Sequence, residues 1–258
     1  MKLIKKFFVL SLKKMDLGSA FAIRLMVIFG KSKTPIHPKH FLYNKPWFTN
    51  HLKKTDIALD LGSGVGQNAI KASRICKKVI GAELDDKLIQ IAERSIKISR
   101  IKNVKFQKAN LEDKLRFKNN SFSSVIILDV LEHLHKRDQI LKEIRRILKP
   151  NGLLVLSVPN SSTSWKKFQR SAGICSFSDP DHKIEFSEKT ITKLLKKHHF
   201  KINDIGYSSY DHFFRGLIDI IGAISLPLYQ KISLWRFKKA QENPIEAQGF
   251  EIVAENIK

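Results

Sequence analysis

The chain is poor in cysteine, poor in acidic residues and free of long apolar runs. Its two cysteines, Cys76 and Cys175, lie far apart in the 258 residues, which argues against a disulfide framework and favours a reducing compartment. No stretch reaches the roughly 18 consecutive apolar residues that would span a bilayer. Near the N-terminus the longest apolar run is residues 7–10, which is too short for a signal-peptide core. We therefore expect neither signal cleavage nor export.

The shortage of acids leaves a strong positive charge. Only 24 Asp and Glu oppose 47 Lys and Arg, so the formal net charge is +23. The imbalance is greatest up to Lys54, where twelve basic residues, Lys45 among them, accompany a single acid, Asp16. One interpretation is a polyanionic partner, either nucleic acid or an anionic membrane surface. The other is a lysine-rich composition whose charge forms only a solvated face.

Two segments combine bulky apolar residues with charge. In the first thirty residues basic side chains are interspersed with Leu, Ile and Phe, which is typical of a helix that lies in the lipid interface. Residues 213–229 are similarly apolar, but Arg215 and Asp219 argue against a membrane span. This second segment fits an apolar ligand pocket, a bilayer contact or a helix that covers a sheet.

The most informative motif lies at residues 57–70. A short apolar run contains Asp60, and Gly62, Gly64 and Gly66 follow at alternate positions before a helical pattern begins. Glycines at this spacing allow a sharp turn and a close approach of the backbone to a ligand. A dinucleotide fold would read G-x-G-x-x-G, because its pyrophosphate must reach a helix N-terminus. A carboxylate before the first glycine suits a cationic ligand better.

The elements that follow alternate between apolar strands and amphipathic helices. Residues 79–84 form a second predicted strand whose last two residues are Glu83 and Leu84, and a third strand around Val104 leads to Asn110. A fourth strand, 124–129, runs into "VLEHL", and the next helix ends at "LKPNG". Residues 153–158 are continuously apolar, as expected for a strand buried on both faces.

These motifs, in this order, resemble the class I S-adenosylmethionine-dependent methyltransferases, whose first motif is similar to D-x-G-x-G-x-G at 60–66. The resemblance covers roughly residues 56–205, with a last strand at 250–254. It implies a Rossmann-like α/β fold: a seven-stranded, mostly parallel sheet with an antiparallel last strand and helices on both faces. It also implies S-adenosylmethionine as the cofactor. The residues implied for cofactor binding are Asp60, Gly62, Ser63, Gly64, Gly66, Glu83, Leu84, Asn110, Leu111 and Asp129.

Two of these residues have predicted contacts with particular parts of the cofactor. Glu83 lies about 20 residues beyond the first glycine, where an acidic side chain can accept both ribose hydroxyls. In the family, the residue at Asn110 is often Asp and contacts the adenine amino group. Asn can still accept that hydrogen bond through its carbonyl oxygen.

Methyl transfer from a sulfonium is an in-line displacement whose rate depends largely on the alignment of the acceptor. A hydroxyl or phenol acceptor must also lose a proton, and His is the favoured base near neutral pH. His133 is the first candidate, because it follows the fourth strand at the edge where open α/β sheets bind ligands. A structural role for His133 in orienting the loop stays open. His182, in Asp-Pro-Asp-His, is the second candidate.

Asp129, Glu132 and His133 form a D-x-x-E-H cluster. Ubiquinone-biosynthesis O-methyltransferases carry a similar E-x-x-E-H motif that binds a divalent metal beside a catechol. Two carboxylates and an imidazole suit a hard or borderline cation. However, "LEHL" at this place is widespread in relatives that need no metal, and Asp reaches less far than Glu. We therefore favour a site without metal.

The predicted organisation is a basic, mostly helical extension at 1–54, able to cover the cofactor, and a methyltransferase domain at 55–258. An insertion is predicted at about 208–247, and a polar loop at 161–183, where family members place substrate contacts. The predicted function is methylation, at oxygen, of a small molecule or an amphiphilic, lipid-linked acceptor. The predicted location is the cytoplasm, peripheral on the inner face of the membrane.

Two other functions stay open. An RNA methyltransferase would explain the charge through phosphate contacts. Against it, the chain lacks the N/D-P-P-Y/F motif of enzymes that methylate exocyclic base amines, and the Pro-Cys pair used to attack a pyrimidine ring. A non-catalytic binding protein could also keep this fold as an interaction platform. The intact glycines and Glu83 argue against such a loss of the site.

Overall fold

The computed structural model describes residues 2–14, 18–33, 35–41 and 46–258. Asp16 and Lys45, both counted in the predicted basic extension, lie outside these ranges. The chain divides into two compact units. We call residues 1–44, 160–178 and 207–249 the helical unit, and residues 45–159, 179–206 and 250–258 the sheet unit. The helical unit thus groups much of the predicted extension with the predicted insertion.

The sheet consists of seven strands in the order β3-β2-β1-β4-β5-β7-β6. The first five strands pair in parallel and the last strands are antiparallel, as the sequence predicts. The strands are β1 Ile57–Leu61, β2 Lys78–Glu83, β3 Val104–Lys108, β4 Phe122–Leu128, β5 Leu148–Pro159, β6 Phe200–Tyr207 and β7 Gly249–Asn256. This order brings the carboxyl ends of β1, β2 and β4 to one edge of the sheet.

The α-helices of the described residues connect or flank these strands. They are α1 Lys2–Lys14, α2 Gly18–Ile28, α3 Gln67–Ser73, α4 Asp86–Ile98, α5 Arg137–Ile147, α6 Ser164–Ser171, α7 Glu188–Lys197, α8 Arg215–Ile224 and α9 Leu226–Glu242. Among the described residues, none of these helices is both long and apolar enough to cross a membrane.

Helices of the sheet unit form where apolar residues recur at helical spacing. In α5 the side chains of Ile140, Leu141, Ile144 and Ile147 are all buried, so a single apolar stripe packs inward. Helix α7 begins at an N-cap, because the Ser187 hydroxyl accepts from the Thr190 backbone N–H.

One local prediction is wrong: residues 161–183 are not a loop throughout, because α6 lies within them. The Thr163 side chain accepts from the Lys166 N–H and so caps the first turn. Trp165 and Gln169, four residues apart, are buried on one side of the helix. The polar composition of the segment hid this short amphipathic pattern.

Within the helical unit, α2 and α8 approach each other closely at two glycines. A Cβ atom at Gly18 would lie 2.6 Å from the backbone carbonyl carbon and oxygen of Gly216. The two backbones can be this close because Gly18 carries no side chain. Ala22, Met26 and Ala223 continue the same contact as a small buried cluster.

We therefore predict that Gly18→Ala pushes α2 away from α8 and lowers the free energy of unfolding by about 1–3 kcal/mol. Gly206→Ala is the matched control, since its added Cβ would meet Glu251 at an ordinary 3.5 Å. Urea denaturation followed by circular dichroism measures both changes. Equal stability of the two variants would contradict this account of the contact.

Candidate active site

The loop between β1 and α3 is shaped by its three glycines. Gly62, Gly64 and Gly66 have φ angles of +70°, +52° and +82°, in the left-handed region that side chains disfavour. A Cβ at Gly62 would meet Val130 at 2.6 Å, and a Cβ at Gly66 would meet Phe106 at 2.6 Å. At Gly64 nothing lies within 4 Å of that position. Two glycines therefore permit packing, whereas Gly64 leaves the backbone open to a ligand.

Glu83, at the end of β2, holds this loop in place. Its Oε2 accepts from the Gly64 N–H at 2.8 Å. Its Oε1 accepts from the backbone N–H groups of Leu84 at 2.7 Å and Asp85 at 3.1 Å. The carboxylate is thereby fixed beside the open glycine, and Oε2 keeps one lone pair for a further donor.

Two buried oxygen atoms beside the loop have no hydrogen-bond partner among the described residues: Oδ2 of Asp60 and Oγ of Ser63. Asp60 is only 1% exposed. Burial raises the pKa of Asp60 to about 7, the Ala69 backbone N–H opposes this rise, and the charge of Glu83 adds to it. An unpaired buried carboxylate oxygen costs free energy, which a ligand that donates a hydrogen bond or carries positive charge would offset.

The segment after β3 carries the next predicted residues. The Ala109 N–H donates to the Glu83 carbonyl at 2.8 Å, which ties this segment to the end of β2. Asn110 is exposed; its Oδ1 accepts from the Glu112 N–H at 3.0 Å, and its Nδ2 donates to Asp113 at 2.9 Å. The Asn110 carbonyl oxygen thus keeps one lone pair for a ligand.

Two predicted leucines differ in exposure. Leu111 is buried and Leu84 is 54% exposed. An exposed leucine directly after Glu83 offers an apolar surface to a flat ligand group at the edge of the sheet.

Asp129 follows β4 with a φ of +56°. Its Oδ1 accepts from the Ser157 hydroxyl at 2.8 Å, and its N–H donates to the Ser157 carbonyl at 3.1 Å. Asp129 is therefore tied to β5. Its charge, together with burial as the larger cause, raises the pKa of Glu251 to about 7.

The structure brings both predicted bases, His133 and His182, together. Their ring centroids lie 4.6 Å apart with an interplanar angle of 77°. Nε2 of His182 lies 3.8 Å from Oε1 of buried Glu132, and the Lys183 N–H donates to the Glu132 carbonyl at 2.8 Å. A segment 49 residues further along the chain is thus fastened to the segment that follows β4.

Glu185 holds the His182 ring, and the surroundings of His133 set its pKa. Nδ1 of His182 lies 3.0 Å from Oε1 of Glu185, whose side chain is fully buried. Burial lowers the pKa of His133, and the neighbouring His182 lowers it further, while Asp179 and Asp181 partly oppose both effects. His133 is consequently neutral at neutral pH and able to accept a proton.

Among the described residues, ligand atoms of Glu132, His133 and His182 lie within 4.8 Å of one another. Asp129 of the predicted D-x-x-E-H cluster is not in this group, and His182 is.

Sequence reasoning missed Glu185. Its spacing from His182, three residues along the chain, was the only available signal.

The glycine loop and the histidine pair lie in the same neighbourhood of the sheet unit. Val130, the residue that a Cβ at Gly62 would strike, stands three positions before His133. Both features follow the carboxyl ends of β1 and β4, which are neighbouring parallel strands. A ligand on the open loop would thus lie near the two imidazoles.

Residues 59–156 match the family model described as "Methyltransferase domain". Over 79 residues the chain is 38% identical to a 23S rRNA (uracil(1939)-C(5))-methyltransferase of Legionella pneumophila, a match that covers 30% of the chain and 18% of that protein. Over 109 residues it is 31% identical to a ubiquinone/menaquinone biosynthesis C-methyltransferase of Pasteurella multocida, covering 41% of the chain and 40% of the relative. The matched part thus spans less than half of either relative.

The fold is also similar to solved structures. An S-adenosylmethionine-dependent methyltransferase of Methanosarcina mazei superposes with a TM-score of 0.57 at 21% identity, over 82% of this chain and 97% of that one. At this identity the likeness concerns the fold. Together with the match of residues 59–156 to the methyltransferase family model and with the glycine loop, it shows that the sheet unit has a methyltransferase fold similar to that of the class I S-adenosylmethionine-dependent enzymes.

Proposed function

We propose that this protein transfers a methyl group from S-adenosylmethionine to an oxygen atom of a small or amphiphilic, lipid-linked acceptor. The glycine loop is the observation that supports this cofactor. Gly64 is open to a ligand, and a buried oxygen of Asp60 has no hydrogen-bond partner among the described residues. A cofactor with a sulfonium and an ammonium group suits that oxygen electrostatically.

The residues present fit this cofactor. Glu83, already fixed beside Gly64, would accept from a ribose hydroxyl through Oε2, and Asn110 would accept from the adenine amino group. Leu84 supplies exposed apolar surface, Leu111 is buried in the segment after β3, and Asp60 and Ser63 lie by the glycine backbone. When bound, S-adenosylmethionine supplies an electrophilic methyl group.

His133 serves as the base in this proposal. Because its lowered pKa keeps the imidazole neutral, it can take the proton from an acceptor hydroxyl. His182, held by Glu185 and beside Glu132, packs against the His133 ring and orients it. Asp129, tied to Ser157, is assigned to the wall of the site near the cofactor.

A second candidate concerns the same cluster. A divalent cation on Glu132, His133 and His182 would bind the acceptor oxygen and remove the need for a base. We favour the base, because contacts to Glu185 and the Asp181 backbone already orient both imidazoles. Activity that survives EDTA supports the base; activity lost with EDTA and restored by Mg²⁺ or Zn²⁺ supports the cation.

The relatives define the other acceptors to be tested. One carries the name of an rRNA methyltransferase and another that of a C-methyltransferase acting in quinone biosynthesis. RNA is the alternative acceptor for the cationic chain, and carbon is the alternative atom in an aromatic acceptor. We propose a cytoplasmic enzyme that meets an amphiphilic acceptor at the inner face of the membrane.

Glu83→Ala is predicted to weaken S-adenosylhomocysteine binding by at least about tenfold, because each hydrogen bond to a charged group contributes about 1.5–3 kcal/mol. Glu93→Ala, at an exposed position on α4, is the matched control. Titration calorimetry measures both affinities. Unchanged affinity in a folded Glu83→Ala protein would sink the assignment of Glu83.

The raised pKa of Asp60 predicts that cofactor binding depends on pH. A cationic ligand favours the ionised carboxylate, so affinity for S-adenosylmethionine should rise between about pH 6 and 8 with release of a proton. Asp60→Asn should bind more weakly and lose this dependence. Glu251 also has a pKa raised to about 7, so Glu251→Gln is the matched control and should keep the pH dependence of the affinity. If Glu251→Gln lost the pH dependence and Asp60→Asn kept it, the titrating group would be Glu251.

His133→Asn is predicted to slow methyl incorporation into a lipid-extract acceptor by about 100-fold or more, since a general base contributes that much. Its affinity for S-adenosylhomocysteine should stay unchanged. His135→Asn, at an exposed position, should keep the wild-type rate. If His133→Asn also keeps the rate, His133 has only a structural role.

A further inference from the structure

The exposed apolar surface is concentrated in the helical unit. Of the large hydrophobic side chains exposed among the described residues, only Leu84, Ile98 and Ile257 belong to the sheet unit. The others belong to the helical unit and include members of α1, α2, α8 and α9. An accumulation of this kind marks an interaction surface rather than ordinary surface composition.

Helix α1 packs against its own unit through its lysine side. Lys13 donates to the carbonyl oxygens of Cys175 and Phe177, and Nζ of Lys5 lies 5.0 Å from the centre of the Phe168 ring. Val9, between the lysines on the helical projection, is buried. The opposite side is apolar and faces solvent, with the residues Leu3, Ile4, Phe7, Phe8 and Leu10. This is the reverse of the usual arrangement of a surface helix.

Helix α9 shows the same inversion. Arg236 is buried and donates to the Tyr210 carbonyl at 3.1 and 2.8 Å, whereas its neighbours Trp235 and Phe237 are 55% and 43% exposed. The buried side of α9 consists of Tyr229, Ser233, Arg236 and Ala240. Apart from Tyr229, the buried side of α9 is therefore polar or small, whereas its large apolar residues Trp235 and Phe237 are exposed.

The interior of the helical unit supports this inversion with a polar network. Asp219 of α8 is buried and accepts from Ser19 at 2.5 Å, from Tyr229 at 3.0 Å and from His37 at 3.1 Å. The exposed side of α8 carries Leu217 and Ile224 instead. Hydrogen bonds thus hold the helices from inside, and their apolar faces remain for an external partner.

The charge of this unit indicates the partner. Its acidic residues at described positions are Asp211, Asp219, Glu242 and Glu246, and three of these are buried. Lysines at described positions of its helices and loops are exposed beside the apolar faces, including Lys231, Lys238 and Lys239 of α9. An outward surface of bulky apolar groups rimmed by lysine, with few exposed acids, is complementary to an anionic bilayer.

We propose that the helical unit docks on an anionic phospholipid surface through the apolar face of α1, which enters the acyl chains, and through the exposed aromatic side chains of α9. Trp235 suits the boundary between headgroups and acyl chains, and the lysines contact the phosphates. RNA would meet the lysines but leave the apolar faces in water. The inference extends the proposed amphiphilic acceptor, although membrane docking can be measured without cofactor or acceptor.

The test is co-sedimentation of the full chain with phosphatidylglycerol vesicles, with phosphatidylcholine vesicles as the neutral comparison. Phe7→Ser with Phe8→Ser, and separately Trp235→Ser, should each weaken binding by about tenfold or more, since each removes buried aromatic area. The matched control is Ile98→Ser, which changes a side chain that is 76% exposed on the sheet unit and should bind as wild type. Added salt should weaken binding of every form.

The outcomes separate the alternatives. Salt-sensitive binding to the anionic vesicles, lost in the α1 and α9 variants and kept in Ile98→Ser, supports the docking surface. Absence of binding, equal binding by all variants, or binding to RNA that the serine substitutions leave unchanged would overturn it. Because these positions are exposed, the variants should fold, and circular dichroism with S-adenosylhomocysteine titration checks this. Vesicle binding without cofactor binding would reject the proposed function alone.

Discussion

The constraint on which the site depends is the turn from β1 into α3. The chain must leave the sheet, pass beneath Val130 and Phe106 and enter a helix within a few residues, so Gly62 and Gly66 have no room for a side chain. Glu83 fixes the remaining glycine from the next strand. In this geometry a buried oxygen of Asp60 has no hydrogen-bond partner among the described residues. Its burial costs free energy, which a cationic ligand would offset.

Much of the sheet unit could be predicted because its signals are local. A strand buried on both faces is apolar throughout, and alternate glycines indicate a sharp turn, so the positions of these strands and of the glycine loop could be predicted from the residues themselves. The mixed seven-stranded sheet was implied by the family resemblance, and the cofactor residues stay a prediction. Strand β5 begins at Leu148, not at 153, because the expected turn residues pair within the sheet through an irregular register and a positive φ at Asn151. The residue types that form turns also occur at irregularities within strands, so the sequence does not distinguish the two.

Long-range contacts could not be predicted in this way. The sequence offered His133 and His182 as separate candidates, and only the folded chain brings their rings within 4.6 Å and adds Glu185. Likewise, the spacing of α1 defines an amphipathic helix but not which side faces inward, and the sequence of α9 does not show which of its residues are buried. That choice depends on partners such as Phe168 and Tyr210, far along the sequence. The inverted polarity of the helical unit is therefore a finding of the structure.

The central claim is that the glycine loop of the sheet unit binds the methyl-donating cofactor. The most direct measurement is calorimetric titration of the wild-type chain with S-adenosylhomocysteine, alone and with Mg²⁺ or EDTA. We expect one site of micromolar affinity, unchanged by the metal or the chelator. No binding by a protein that circular dichroism shows to be folded would contradict the claim and would leave a methyltransferase fold that serves only as an interaction platform.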